Sequence, residues 1–297
     1  MTIEECREFY AEEVSFSAHV TSPRLITAFA RVPREKFLGP GPWQIAKPDY
    51  VAMATAGVAQ SSYIEIRDPR QLYHDVLIVL DKAGNINNGQ PSGLARWLDA
   101  LDLKPGERAY HLGCGVGYYT AIITEIVGFQ GEVLASEVNL DLAARAQQNL
   151  AGYPNVTVYA GDGAILDPGP RDAIFVNAGV THPLPLWLNC LREGGRLVLP
   201  LTMSVGPSLG VGIMAKITRH GAAFSAGVIT QLGIYSCTSA RDPELEPVLR
   251  AAASTGALMK IRSVRTDLHD KGDNCLVHRA DVCLSSAAAG TIQSPPV

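Results

Sequence analysis

The middle of the chain alternates short apolar runs with helical or turn-rich sequence. Strands that are buried on both faces of a parallel sheet read as continuous apolar runs, and their alternation with helices is typical of α/β folds. The pattern therefore predicts a doubly wound, mostly parallel sheet with helices on both faces. The predicted strands lie at Ala109–Leu112, Val133–Ala135, Val156–Tyr159, Ala173–Val176 and Arg196–Leu199.

The sequence before these strands has helical spacing. Apolar positions such as Leu25, Ile26, Phe29 and Val32 predict helices to about Phe37, before the Pro-rich break GPGPW. We interpret residues 1–70 as a helical lid or buttress. A helical stretch is predicted to begin at Pro69, and the loop DKAGNINNGQP leads into a second helix, SGLARWLDALDL.

After Pro200 the sequence becomes rich in β-strand patterns. Two segments, GVGIMAKITR and FSAGVITQLGIY, meet at His-Gly-Ala and predict a hairpin that extends the sheet. A helix near 244–257 and a strand near 280–284 follow. The predicted divisions are a helical segment at 1–70, a cofactor-binding core at 71–200, a β-rich extension at 201–284 and a disordered tail at 285–297.

Composition and charge narrow the possible partners. The formal net charge is −4 and there is no run of Lys or Arg, which argues against nucleic acid as a partner. The acidic N-terminus does not resemble a signal peptide, and no apolar stretch approaches the ~18 residues of a membrane span. These features predict a cytoplasmic protein without membrane association.

The six cysteines are scattered, which favours free thiols in a reducing compartment. Cys275, His278 and Cys283 are of types that bind metals. They lack the two paired ligand turns of a tetrahedral site, so we predict no metal here.

A glycine-rich turn is the most informative segment. In RAYHLGCGVGYYTA an apolar strand runs into Gly113, Gly115 and Gly117 and then into a helix. Glycine permits a tight turn and lets a ligand approach the amides at a helix N-terminus. Three glycines can also serve the turn alone, and Tyr118 and Tyr119 can bind a cofactor or fill the core.

An acidic residue supports the ligand interpretation. Glu137 lies twenty residues after Gly117, at the end of the next predicted strand, where a carboxylate can accept both ribose hydroxyls of an adenosine ligand. The G-x-G-x-G spacing differs from the G-x-G-x-x-G of dinucleotide loops. It favours S-adenosyl-L-methionine, converted to S-adenosyl-L-homocysteine, as the cofactor.

Further polar residues follow the third and fourth strands. Asp162 is placed to accept from the adenine amino group, and Asn177 ends the fourth strand at the same sheet edge. The predicted cofactor-binding residues are His111, Gly113, Cys114, Gly115, Gly117, Tyr118, Glu137, Val138, Gly161, Asp162, Gly163 and Asn177.

Several motifs resemble the protein-L-isoaspartate O-methyltransferase family. They are SPRLITAFARVPREKFLGP, Tyr-His-Asp at 73–75, HLGCGVGYYTA, GDG, DAIFVNAG and LREGGRLVLPL, which appear in the family's order over residues 22–201. The resemblance implies a Rossmann-like methyltransferase fold. By motif position it implies cofactor roles for Gly113, Gly115, Glu137, Asp162 and Gly163.

The sequence departs from the family pattern in two places. The family's Thr-Ile-Ser-x-Pro loop, which helps to close the site over cofactor and substrate carboxylate, reads Asn87-Asn88-Gly89-Gln90-Pro91 here. Both hydroxyls are gone, and the loop carries amide side chains instead. The second departure is the stretch of ~95 residues after Pro200, which has no counterpart in the family pattern and is placed to wall off a substrate cleft.

Three functions remain open at this point. The first is O-methylation of a carboxylate, either an isoaspartyl-like peptide or protein or a small carboxylic acid; the second is methylation of another small molecule or of RNA; the third is a silent cofactor-binding module. We expect the Asn87–Ser92 and Asn177–His182 loops to frame the acceptor. The predicted catalytic residues are Asn88, Gln90 and His182, with His182 or His74 as base if the acceptor is an alcohol or amine.

Overall fold

The computed structural model describes residues 1–46, 63–81 and 86–290. Its helices overlap the predicted helical segments near the N-terminus, before the glycine turn and after the hairpin, and the last two end two to three residues earlier than predicted. The α-helices of this described part are α1 (Ile3–Ala18), α2 (Pro23–Arg31), α3 (Glu35–Leu38), α4 (Pro91–Leu101), α5 (Tyr118–Val127), α6 (Leu140–Asn149), α7 (Pro185–Cys190) and α8 (Leu245–Ser254).

The strands include all five predicted in the middle of the chain and both arms of the predicted hairpin. They are β1 (Trp43–Ala46), β2 (Tyr63–Ile66), β3 (Val79–Asp81), β4 (Ile86–Asn87), β5 (Arg108–Leu112), β6 (Glu132–Glu137), β7 (Val156–Ala160), β8 (Arg171–Val176), β9 (Leu191–Ser204), β10 (Leu209–His220), β11 (Ala223–Tyr235), β12 (Ser263–Arg265), β13 (Cys275–His278) and β14 (Cys283–Ser285).

The described residues form two compact units. Unit 1 contains residues from Met1–Glu107 and Gly113–Gly161, and unit 2 contains Arg108–Leu112 and the residues that follow Gly161. The four-part division proposed from the sequence stays a prediction, although β9 runs straight through its boundary at Pro200.

Unit 1 combines the N-terminal helices with a parallel strand pair. β6 pairs in parallel with β7, and α5 and α6 pack on these strands. The helix predicted from Pro69 is wrong, because only a 3₁₀ turn, Pro69–Leu72, forms before β3. The carbonyls of Leu72, at the end of this turn, and of His74 and Val76 accept hydrogen bonds from the buried Arg34 side chain in place of helical hydrogen bonds.

Unit 2 is built on a mixed sheet. β5 pairs in parallel with β8, and β8 in parallel with β9. The antiparallel pairs β9–β10, β10–β11, β11–β12, β12–β14 and β13–β14 then continue the sheet. The turn between β10 and β11 falls at Gly221–Ala222, as the hairpin pattern predicts.

This architecture confirms the α/β class, with parallel strands along the middle of the chain and antiparallel strands after them. Of the predicted loop at 81–91, residues 82–85 lie outside the described residues, and so do residues 291–297 of the predicted tail. Ser285, assigned to that tail, belongs to β14. Within the described ranges, none of the helices has the length and hydrophobicity needed to cross a membrane.

Candidate functional site

The glycine turn of unit 1 leads directly into α5. Gly113, Gly115 and Gly117 have φ values of +77°, +56° and +90°, which favour glycine. A Cβ on Gly117 would lie 2.8 Å from the Leu150 side chain, whereas one on Gly115 would meet only Leu80, at 3.8 Å. Gly117 therefore serves close packing, and Gly115 leaves space on the partly exposed side of the turn.

The turn is fastened to the end of β6. The N–H groups of Gly113 and Cys114 both donate to the Ser136 carbonyl, at 2.9 and 3.0 Å. Glu137 is only 8% exposed, and its Oε2 accepts from the Gly115 N–H at 2.8 Å. Its Oε1 accepts from the Asn139 N–H at 3.0 Å. These bonds fix the orientation of the carboxylate against the turn.

Two predicted residues of the turn have buried side chains. The Tyr118 ring is fully buried and packs edge-to-face against Phe29 and Phe37, so it is a core side chain. If Tyr118 contacts a cofactor, it does so through its backbone N–H, which lies in the first turn of α5. The Cys114 thiol is also buried, and burial, with the nearby Glu137, raises its pKa. It is therefore a poor nucleophile.

The remaining predicted residues of unit 1 follow β6 and β7. Val138 is about half exposed, directly after Glu137. The Gly161 N–H donates to the Glu137 carbonyl at 2.9 Å, and a Cβ on Gly161 would lie 2.8 Å from the Tyr159 ring. Gly161 thus allows the chain to stay close to β6.

Unit 2 contains the other predicted cofactor residues. Asp162 Oδ1 accepts from the Ala164 N–H at 2.9 Å, and the Gly163 carbonyl accepts from the Tyr110 hydroxyl at 2.8 Å. The Asn177 N–H donates to the Leu112 carbonyl at 2.8 Å, which places Asn177 just after paired β5 and β8. Cofactor roles for Asp162, Gly163 and Asn177 stay predictions.

His111 is a core residue of unit 2. Its ring is fully buried and stacks on Phe175, with 5.2 Å between the ring centroids. No surface of the side chain is left for a ligand, so its predicted cofactor contact has no side-chain support. Burial lowers the pKa of His111 to about 3.

This buried imidazole predicts an acid-sensitive fold. An unfolded histidine titrates near pH 6.5, so between about pH 6.5 and 3 the unfolded chain binds a proton that the folded chain excludes, and stability falls as pH falls. His111 should contribute about 1.4 kcal/mol of lost stability per pH unit in this window. Urea unfolding at pH 7, 6 and 5 checks this. A His111→Asn variant should show a shallower dependence, and an unchanged slope would contradict the prediction.

The Asn87–Ser92 loop of unit 1 is organised by Asp75. Asp75 accepts from the Ser92 N–H at 2.8 Å, from the Ser92 hydroxyl at 2.6 Å and from the Gln90 amide at 3.0 Å. The exposed Gln90 thus holds the loop in place. Asn88 is 9% exposed, and its Nδ2 has no hydrogen-bond partner in the described part of the chain. A buried donor of this kind is suited to a ligand.

His182 of unit 2 is badly placed to act as a base. Its Nε2 lies 2.9 Å from the Arg279 guanidinium, which can only donate, so Nε2 accepts. Its Nδ1 then carries the proton and donates to the Thr181 hydroxyl at 2.9 Å. Burial and the Arg279 charge lower the pKa of His182. This geometry favours a structural role for His182, and its catalytic role stays an untested prediction.

Replacing His182 with glutamine should leave turnover within about threefold of the wild-type value, because the glutamine oxygen can still accept from Arg279. Loss of a true general base typically costs about 10²- to 10⁴-fold. The measurement is kcat on the best methyl acceptor found for the chain. A loss of 100-fold or more with unchanged cofactor affinity would instead establish His182 as the base.

Sequence reasoning missed Arg34 as an organising residue. It is fully buried in unit 1 and donates to the carbonyls of Leu72, His74 and Val76 at 2.7 to 3.0 Å. Its guanidinium also lies 5.9 Å from the centre of the Tyr118 ring. The Val-Pro-Arg-Glu motif that contains Arg34 was the feature of the sequence that could have identified it. Arg34 connects that motif to the segment containing Asp75.

The sequence of this chain is similar to those of known methyltransferases. The family model described as protein-L-isoaspartate(D-aspartate) O-methyltransferase matches residues 43–209. A Pelobacter propionicus protein-L-isoaspartate O-methyltransferase is 31% identical over 220 residues, covering 72% of this chain and 82% of that protein. A Thermotoga maritima relative of the same name is 29% identical over 164 residues, 53% of this chain and about half (52%) of its own length.

Solved structures show the same fold. One protein-L-isoaspartate O-methyltransferase superposes with a TM-score of 0.62 at 22% identity, over 84% of this chain and 69% of its own. A Plasmodium falciparum structure of the same description, solved with S-adenosyl-L-homocysteine, gives 0.58 at 17% identity, over 78% of this chain and 98% of its own. The family model spans more than half of the sequence and includes the glycine turn, Glu137 and Asp162. The chain belongs to the protein-L-isoaspartate O-methyltransferase family.

Proposed function

We propose that this chain is an S-adenosyl-L-methionine-dependent methyltransferase that O-methylates a carboxylate, with isoaspartyl peptides or proteins as the first substrate class. One observation carries the proposal. The glycine turn is fastened to β6 so that the Gly115 N–H and the Glu137 carboxylate meet at 2.8 Å. The family is that of protein-L-isoaspartate O-methyltransferases, and the Plasmodium falciparum structure of this fold was solved with S-adenosyl-L-homocysteine.

The residues of unit 1 fit an adenosine-containing cofactor. Gly115 leaves open space beside the turn, and Glu137 is oriented by two backbone donors while keeping lone pairs for further hydroxyl donors. Bound there, S-adenosyl-L-methionine supplies an electrophilic methyl group on a sulfonium. We propose cofactor roles for Asp162, Gly163 and Asn177 from their motif positions alone.

The state of His182 favours a carboxylate acceptor. Alcohols and amines need a base to remove a proton during methylation, whereas a carboxylate has already lost its proton at neutral pH. The basic nitrogen of His182 accepts from Arg279 and is not available for this task. Of the two methyl-transfer functions open at the outset, carboxyl methylation is the one that needs no general base from this chain.

The loop with amides in place of hydroxyls can still assist such an acceptor. We propose that the buried Asn88 Nδ2 donates to the substrate carboxylate, which would satisfy its hydrogen-bonding capacity. Gln90 would act indirectly by holding the loop against Asp75. Proximity and orientation then provide most of the rate enhancement.

The test is transfer of a labelled methyl group from S-adenosyl-L-methionine to an isoaspartyl peptide. A peptide of identical sequence with a normal aspartyl residue is the matched control. We expect base-labile label on the isoaspartyl peptide alone. Base-labile label on small carboxylic acids but not on the peptide would keep carboxyl methylation and reject the peptide substrate. Base-stable label on amines or RNA would reject carboxyl methylation.

A silent cofactor-binding module gives a different pattern. It would bind S-adenosyl-L-homocysteine in calorimetry yet transfer no label to peptides, small acids or a fractionated extract. Absence of cofactor binding would reject the proposal altogether.

A further inference from the structure

Four side chains with metal-binding groups meet at the edge of the unit 2 sheet. They come from β13, from β14 and from the loop that precedes β13. Their ligand atoms all lie within 4.8 Å of one another, and the four residues are His269, Cys275, His278 and Cys283. We propose that this cluster, called here the β13–β14 cluster, is a structural zinc site.

Strand pairing explains why the cluster forms. In the antiparallel register of β13 and β14, His278 is opposite Cys283, while Cys275 lies three residues before His278 on β13. The intervening loop returns His269 to the same place, so that its Nε2 lies 3.6 Å from Cys275 Sγ. The spacing is therefore H-x₅-C-x₂-H-x₄-C, in which the first ligand is easily overlooked.

The observed separation suits a tetrahedral ion. With Zn–S near 2.3 Å and Zn–N near 2.0 Å, neighbouring tetrahedral ligands lie roughly 3.3 to 3.8 Å apart. The His269–Cys275 distance already falls within this range. Pairs of thiolates and imidazoles in tetrahedral geometry favour zinc over hard cations such as Mg²⁺ or Ca²⁺.

The surroundings prepare the ligands for an ion. His269 Nδ1 lies 2.8 Å from the Asp267 carbonyl, which requires a proton on Nδ1 and leaves the Nε2 lone pair directed at the cluster. The Gly272 N–H donates to Cys275 Sγ at 3.3 Å, a contact that stabilises a thiolate. Within the described residues, the buried Nδ1 of His278 has no hydrogen-bond partner.

Charge balance agrees with a closed site. Two cysteine thiols would release their protons to solvent, and two thiolates with two neutral imidazoles then neutralise one Zn²⁺. Four protein ligands leave no open position for substrate, which is the pattern of structural rather than catalytic zinc. The ion would therefore stabilise the fold at this edge, where β13 and β14 have only four and three residues.

The proposed site also supports a residue that controls His182. The turn between β13 and β14 begins at Arg279, next to His278, and Arg279 donates to His182 Nε2 at 2.9 Å and to Asp242 at 3.0 Å. Zinc at the β13–β14 cluster would fix both ends of this turn. Metal binding would thereby hold Arg279 against the loop that follows β8.

Metal content of the purified full chain tests the proposal without reference to activity. After expression with added zinc, we expect about one zinc ion per chain, measured by inductively coupled plasma mass spectrometry. Cys275→Ser and Cys283→Ser should each lower that content at least fivefold. Cys237→Ser is the matched control, since Cys237 is a buried cysteine of the same unit outside the cluster, and it should keep its zinc.

A measurement on the wild-type chain tests the proposal even if the cysteine variants fail to fold. X-ray absorption at the zinc edge should show two sulfur ligands near 2.3 Å and two nitrogen ligands near 2.0 Å. Zinc below a tenth of an equivalent in the wild type would overturn the proposal. Equal zinc loss in Cys275→Ser and Cys237→Ser, an oxygen-only first shell, or a Cys275–Cys283 disulfide in place of metal would also overturn it.

Discussion

Replacing Glu137 with alanine is expected to weaken S-adenosyl-L-homocysteine binding by about 10- to 100-fold. Glu137 orients the glycine turn through the Gly115 N–H, and we propose that it accepts from the cofactor hydroxyls. A hydrogen bond to a charged group is worth about 1.5–3 kcal/mol, and each 1.4 kcal/mol is a tenfold change in affinity. Titration calorimetry measures the effect.

Glu125→Ala provides the matched control for Glu137→Ala. Glu125 lies in the last turn of α5, and it makes a long ion-pair contact of 3.8 Å with the exposed Arg31. Its loss should change affinity by less than about twofold, since surface pairs contribute little. Equal affinities for wild type and Glu137→Ala would show that the carboxylate does not bind the cofactor.

Replacing Arg34 with methionine is expected to lower the free energy of unfolding by at least about 3 kcal/mol. The substitution keeps an apolar side chain but removes the donor to the carbonyls of Leu72, His74 and Val76. Buried acceptors left without a partner cost about 1–3 kcal/mol each. Urea unfolding monitored by far-ultraviolet circular dichroism measures the change.

The control for Arg34→Met is Arg31→Met. The Arg31 side chain is 68% exposed, so this substitution should change stability by no more than about 0.5 kcal/mol. Because Asp75 lies in the segment that Arg34 holds, Arg34→Met should also loosen the Asn87–Ser92 loop. If the two variants lose the same stability, Arg34 does not have the organising role assigned to it.

Local sequence patterns were sufficient to predict the regular parts of the fold. β5 and β8 are almost continuously buried, so they read as apolar runs, and glycine at three positions identifies the turn before α5. The hairpin of β10 and β11 was predictable because its two arms and a short turn are adjacent in sequence. Such features depend on neighbouring residues, which the sequence displays directly.

Long-range contacts account for the parts that were not predicted. The segment after Leu72 is not helical because Arg34, about forty residues earlier, binds its carbonyls. The hydrogen bond that His182 accepts comes from Arg279, which lies 97 residues later in the sequence, so no local pattern shows it. Tyr118 could serve cofactor or core until Phe29 and Phe37 are placed on its ring.

The β13–β14 cluster shows the same limit. Cys275, His278 and Cys283 were recognised as metal-binding types, but the absence of a second ligand pair argued against a site. His269 supplies the fourth ligand only because its loop folds back onto β13. Strand register and loop closure, neither of which has a local signature here, bring the four together.

The most direct test of the central claim is hydrogen exchange of the full chain with and without saturating S-adenosyl-L-homocysteine. We expect slower exchange in peptides covering 113–119 and 137–140, because the ligand would cover the turn beside Gly115 and the Glu137 carboxylate. Peptides covering 275–285 should be unchanged and serve as the internal control. Binding detected by calorimetry without protection at 113–119 would place the cofactor elsewhere and contradict the account.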